Sequence, residues 1–163
     1  MATWGEFEAA SPQIAGVGRR LFKELEVAFI ATVSPSGKPR VHPFCPAIAG
    51  GHLWGFILDG SPKRMDLEAN GHFAIHALPG REDEEFYITG HARRQSDPLL
   101  RELAIAAMPY DDADERHILY EFLIEYALWT TWENFQKPSM RPAHQRWHAG
   151  DATDSAKLSP RHS

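Results

Sequence analysis

Three stretches of strand-forming residues follow one another early in the chain with only turns between them, and this spacing restricts the fold severely. Residues 27–33 form a continuous apolar run rich in β-formers, which reads as a buried strand. Ser34-Pro35-Ser36-Gly37 is a turn sequence. Residues 40–48 form the next strand, in which Pro43 and Pro46 cannot donate to a ladder, so an edge position or a bulge is expected. Gly50-Gly51 then turns the chain into a third strand at 52–58. Strands joined by turns this short run antiparallel, because a parallel pair needs a long crossover.

The rest of the chain keeps this character. Ser11 and Pro12 suit the cap and first position of a helix, and Ile14, Val17, Leu21 and Leu25 recur at helical spacing, predicting a helix over 12–25. Ser61 and Pro62 open a short helix over 61–69, stopped by Asn70-Gly71. A strand at 72–78 turns at Pro79-Gly80 into another at 85–94, with Phe86, Ile88, Gly90 and Ala92 on one face. Asp97-Pro98 caps a helix reaching 107, and 111–115 is an acidic loop. Residues 118–132 suit one long strand with Tyr120, Phe122, Ile124, Tyr126, Leu128 and Thr130 on a shared face, and 141–148 is the last strand. The expectation is one domain over 1–150, followed by a polar, mobile tail over 151–163. Its class is mainly β (α+β), an antiparallel barrel with helices at its edges rather than a doubly wound parallel sheet.

Charge and cysteine content narrow the function. Lys and Arg number 17 against 22 Asp and Glu, a formal net charge of −5. That balance argues against a general nucleic-acid or membrane-surface role. Cys45 stands alone, so no intrachain disulfide forms, which fits a reducing, cytoplasmic setting. The first residues lack the basic-then-apolar pattern of a signal peptide, and no apolar run approaches membrane-spanning length.

The most suggestive chemistry is a basic cluster at a helix start. Ser61 caps a helix whose first turn carries Lys63 and Arg64, where free backbone N–H groups attract anions. Two cations there oppose the helix dipole, and a bound phosphate would reverse that penalty. Arg40, on the earlier strand, is a candidate to approach the same spot. The edge strand Arg40-Val41-His42-Pro43 can offer unpaired backbone groups to a flat ring, although an ordinary irregular edge strand reads the same way. Among nine histidines, His72 and His76 are four apart, as are His144 and His148. On strands that spacing separates the rings by about 13 Å, too far for one ion, and no metal site is expected. Cys45, between Phe44 and Pro46, reads as a small buried hydrophobe rather than a nucleophile.

Taken in order, these residues resemble the pyridoxamine 5′-phosphate oxidase-like split-barrel flavoproteins. The likeness rests on a buried strand, a turn ending in Gly37, Lys38-Pro39-Arg40-Val41-His42-Pro43, a strand ending in Phe56-Ile57, then Gly60-Ser61-Pro62-Lys63 and Asp66-Leu67. Phe86-Tyr87-Ile88-Thr89-Gly90-His91-Ala92 resembles a later strand with a Gly-x-Ala ending. The resemblance implies a six-stranded Greek-key split barrel, a homodimer, and FMN in a cleft between subunits. It implies that Arg40 and Lys63 grip the FMN phosphate with help from Ser61 or Arg64. Val41, His42, Pro43, Phe56 and Ile57 would lie beside the ring, Glu85 near the flavin, and Trp147 would reach it from the partner subunit. It further implies an oxidoreductase acting on a small molecule. The alternatives are a deazaflavin-dependent reductase and a flavin-binding carrier or sensor without turnover. The oxidase's C-terminal Arg-x-His substrate motif is matched only by Arg141-Pro142-Ala143-His144, whose spacing differs, so the resemblance does not extend to pyridoxamine phosphate as substrate.

Overall fold

A computed structural model describes residues 1–110 and 113–150. The expected mobile tail at 151–163, and Asp111 and Asp112 of the acidic loop, lie outside the described residues. The elements run α1 (Trp4–Ala10), α2 (Pro12–Leu25), β1 (Ala28–Val33), β2 (Pro39–Phe44), β3 (Ala47–Ala49), β4 (His52–Leu58), α3 (Pro62–Asn70), β5 (His72–Ala77), β6 (Glu85–Gln95), α4 (Pro98–Ala107), β7 (His117–Glu133) and β8 (Arg141–His148), with a 3-10 turn at Arg81–Asp83. The sequence gives no expectation of α1, yet its signal is present. Thr3 Oγ1 accepts from the Glu6 backbone N–H, and the Glu6 carboxylate accepts from the Thr3 N–H at 2.7 Å, a reciprocal capping box.

All eight strands join one antiparallel sheet in the order β2-β1-β5-β6-β7-β4-β3, with β8 also paired to β7. Six strands (β1, β2, β4, β5, β6 and β7) make up the expected barrel. The other two have local causes. Cys45 and Pro46 break the expected 40–48 strand into β2 and the three-residue β3, and β8 adds to the outer flank. Because β2 and β3 are the two ends of the strand order, the barrel is split where Cys45-Pro46 joins them. The long β7 pairs with β6 on one side. On its other side β4 takes residues 117–121 and β8 takes 126–133. Ala2 fills the gap between them by exchanging two hydrogen bonds with Ile124, at 2.8 and 2.7 Å.

The core lies between the inner sheet face and helices α1 and α2, with Trp4, Phe7, Phe22, Ile30, Ile57, Ile75, Phe86, Ile88 and Phe122 buried together. The alternation predicted for β6 holds, since Phe86, Ile88, Gly90 and Ala92 all face inward. The single face expected for β7 does not. Tyr120, Phe122 and Ile124 point inward, but Glu125 is an extra residue opposite the Thr89/Gly90 step. Beyond that bulge Ala127 and Trp129 take the inward positions while Tyr126 and Leu128 turn outward.

Candidate functional site

Helix α3 follows β4 and leads into β5. Its Ser61 Oγ accepts the Arg64 backbone N–H at 3.3 Å, and the helix packs on both β1 and β4. The two flanks of the helix therefore meet different strands. Lys63 and Asp66, three residues apart and on one face, look toward β1 and β2. The Lys63 ammonium donates to the Pro43 carbonyl at 3.1 Å. Asp66 is 1% exposed, and its Oδ2 accepts from Thr32 Oγ1 at 2.7 Å. Its Oδ1 makes no hydrogen bond and lies 3.4 Å from Arg40 Nη1. Arg40 is thereby drawn inward from β2 by a buried carboxylate.

His42 completes the cluster. Burial pushes its pKa down, the charges of Lys63 and Arg40 push it further, and Asp66 opposes them. Its Nε2 is buried and has no hydrogen-bond partner. Burial also lowers the Lys63 pKa, against the nearby Cys45. Cys45 in turn lines a pocket of about 310 Å³ with Phe56, Tyr110, Ala113 and His117. The cationic cluster and a partly aromatic pocket thus adjoin through Cys45. The guanidinium of Arg101 lies 5.0 Å from the Phe56 ring centroid, and donates to the His117 and Asp114 carbonyls at 2.8 and 2.6 Å.

The other expected site residues occupy varied positions. Val41 is 65% exposed, and with Pro43 it faces away from Arg40 and His42, as alternation on a strand requires. Ile57 is buried in the core, on the opposite face of β4 from Phe56. Arg64 leaves the cluster for the β4 flank, where it pairs with Glu68 at 2.5 Å and Asp59 at 2.9 Å; the Glu68 contact holds its pKa above the usual value. Glu85 starts β6. The row that contains Arg40 runs through Thr32 and Phe73 to Gly90, five residues from Glu85, or roughly 16 Å along a strand. Trp147 is a core residue of its own chain, its ring 4.8 Å from that of Phe7.

The sequence reading assigns no site role to Thr32 or Asp66. Thr32 occupies an inward position in the alternation of β1, after Ala28 and Ile30, where an apolar residue belongs. That polar break was the available signal.

A family model for pyridoxamine 5′-phosphate oxidase matches residues 18–126, spanning all of this architecture from within α2 to the middle of β7. The chain belongs to the pyridoxamine 5′-phosphate oxidase family. No curated protein matches it. Solved structures share its fold. A protein related to general stress protein 26 from Clostridium acetobutylicum is 11% identical, with TM-score 0.61, covering 81% of this chain and 92% of that one. The haem storage protein HutZ of Vibrio cholerae is 17% identical, with TM-score 0.58, covering 71% and 90%. A haem-binding protein of Mycobacterium smegmatis is 17% identical, with TM-score 0.55, covering 72% of this chain, which spans about half (52%) of that protein. At these identities the likeness establishes the fold. No helix among the described residues is long and apolar enough to cross a membrane.

Proposed function

We propose that this family member is an FMN-binding flavoprotein, acting in the cytoplasm as an oxidoreductase on a small-molecule substrate. One observation carries the reading. Arg40, His42 and Lys63 are gathered from β2 and α3 at the barrel split, and the buried His42 Nε2 lacks a partner. A group bearing a phosphate fits this cluster. Arg40 keeps guanidinium N–H groups beyond the one facing Asp66, and Lys63 keeps two donors beyond the one on Pro43. Both can therefore bind an anion without giving up the contacts that orient them.

Bound flavin would supply the hydride or electron transfer. The side chains would bind and orient it. Arg40 and Lys63 would hold the phosphate, and His42 would present an unpaired imidazole nitrogen beside it. The backbone of Val41 and Pro43 and the ring of Phe56 would border the planar portion, where the Cys45 pocket excludes part of the solvent. Ser61 contributes by capping α3. Phe29 (44% exposed), Val33 and Val41 leave an apolar face on β1 and β2, which a second copy would cover in a homodimer with the cofactor at the interface.

The test is a visible spectrum of the purified protein, followed by titration of the apo form with FMN, a deazaflavin and haem. Saturable FMN binding with flavin bands near about 375 and 450 nm supports the reading. Reduction of the bound flavin by a nicotinamide donor distinguishes an enzyme from a carrier or sensor. Haem is the second reading, favoured by the likeness to a haem-binding protein and a haem storage protein. A Soret band with no response to FMN would replace the flavin assignment.

A further inference from the structure

We propose that His72 and His91 form a two-histidine site for a late first-row transition-metal ion such as Zn²⁺, Ni²⁺ or Cu²⁺. The two residues are 19 positions apart in the chain, but β5 and β6 pair antiparallel with His72 directly opposite His91. Side chains at such positions leave the same face with Cβ atoms about 4.5–5.5 Å apart. Spacing along one strand separates histidines, whereas register across two strands brings these together.

The ring separation is near that of a chelate. The His72 and His91 centroids are 5.6 Å apart, with planes at 79°. A Zn–N bond is about 2.0–2.1 Å and the nitrogen lies roughly 1.1 Å from the imidazole centroid, so two ligands at the tetrahedral angle place their centroids about 5.2 Å apart. The pair stands a few tenths of an ångström from that value without a metal. Neither ring takes part in a hydrogen bond or ion pair among the described residues, so binding would displace no existing partner.

The surroundings limit the movement of both residues. The His91 ring rests over Gly71, where a Cβ would overlap it, and Gly71 has φ +71°, the left-handed conformation that ends α3. The His72 backbone N–H donates to Asn70 Oδ1 at 3.0 Å, and Asn70 Nδ2 donates to the Val33 carbonyl at 2.8 Å. One loop thus anchors the pair to α3 and β1.

Imidazole donors favour zinc, copper and nickel over magnesium or calcium. No group of three or more His, Cys, Asp or Glu that could hold a metal occurs among the described residues. The remaining coordination positions would go to water or an external ligand, which makes the site open and exchangeable rather than structural. The assignment does not depend on flavin binding.

The test is a Zn²⁺ titration of the EDTA-stripped protein against a chromophoric chelator, for the wild type, His72→Gln, His91→Gln and the control His148→Gln. Circular dichroism checks that each variant is folded. The expected result is one zinc per chain at micromolar affinity, weakened at least tenfold in either site variant and retained in His148→Gln. Electron paramagnetic resonance of the Cu²⁺-loaded wild type should show two equatorial imidazole nitrogens. Binding in both site variants equal to the wild type, or no binding by the wild type at micromolar zinc, would overturn the site. The copper measurement keeps the test decisive if one variant fails to fold, since a single coordinated nitrogen would also overturn it.

Discussion

Asp66 receives the Thr32 hydroxyl on one carboxylate oxygen, at 2.7 Å, and faces the Arg40 guanidinium with the other, at 3.4 Å. A buried carboxylate on α3 thus ties the helix to the first two strands through one polar contact on each. Asp66→Asn retains an oxygen for Thr32 and removes the charge opposite Arg40. Thr32→Val does the reverse and leaves the buried Oδ2 without its donor. Each should lower stability by about 1–3 kcal/mol, the cost of an unsatisfied buried polar group or a lost charged contact. Urea denaturation reads this as a lower midpoint at unchanged slope. Midpoints equal to wild type in both variants would show that the triad does not hold α3 in place.

Lys63 and Arg40 offer a more direct probe of the proposed phosphate site. Truncating either to Ala removes a charge-assisted contact, typically worth about 1.5–3 kcal/mol, so FMN affinity should fall at least several-fold. The two variants should differ in stability. Lys63→Ala gives up only a partly exposed bond to the Pro43 carbonyl, whereas Arg40→Ala strips Asp66 of its ion pair. Isothermal titration of both proteins with FMN checks the affinity. Wild-type affinity in both would remove the phosphate from this cluster.

His42 gives the site a pH dependence. Burial first, then the charges of Lys63 and Arg40, holds its pKa below the ordinary histidine value. The unfolded chain therefore takes up a proton before the folded one does. The stability associated with neutral His42 is complete above the unfolded value of about 6.5 and is lost as pH falls through the lower folded value. Thermal melts between neutral and mildly acidic pH should show Tm falling in that window, and His42→Gln should flatten this part of the curve. An identical slope in the variant would assign the acid sensitivity to other groups.

Most of the fold was legible because its signals are local. Proline and glycine mark the turns, Ser61 and Pro62 mark the start of α3, and strict alternation marks the inward face of β6. What escaped depends on contacts between elements. The outward turn of Tyr126 and Leu128 follows from a bulge, which is a property of a strand pair. Lys63 and Arg64 are neighbours in sequence but sit about 100° apart around a helix, so one reaches β2 and the other Asp59 and Glu68. The Trp147 contact with Phe7 likewise joins β8 to α1, an element for which the sequence raises no expectation.

The bulge also makes Gly90 a sensitive position. Where β7 carries the extra Glu125, the Leu123 carbonyl oxygen occupies the space that a Cβ on Gly90 would need, so a side chain there would overlap it far inside van der Waals contact. The obstacle is backbone from the central strand pair, so it cannot swing aside as a side chain could. Gly90→Ala must shift β6 against β7 or undo the bulge, and undoing it would reverse which residues of β7 face the core. We expect a loss of about 3 kcal/mol or more, within the range for overpacking combined with backbone strain. Gly37→Ala is the useful comparison. Its φ of +81° imposes conformational strain, but nothing lies within 4 Å of the added methyl, so it should cost about 1 kcal/mol. Denaturation midpoints of the two variants separate these effects, and equal losses would mean that β6 and β7 absorb the clash without disturbing their register.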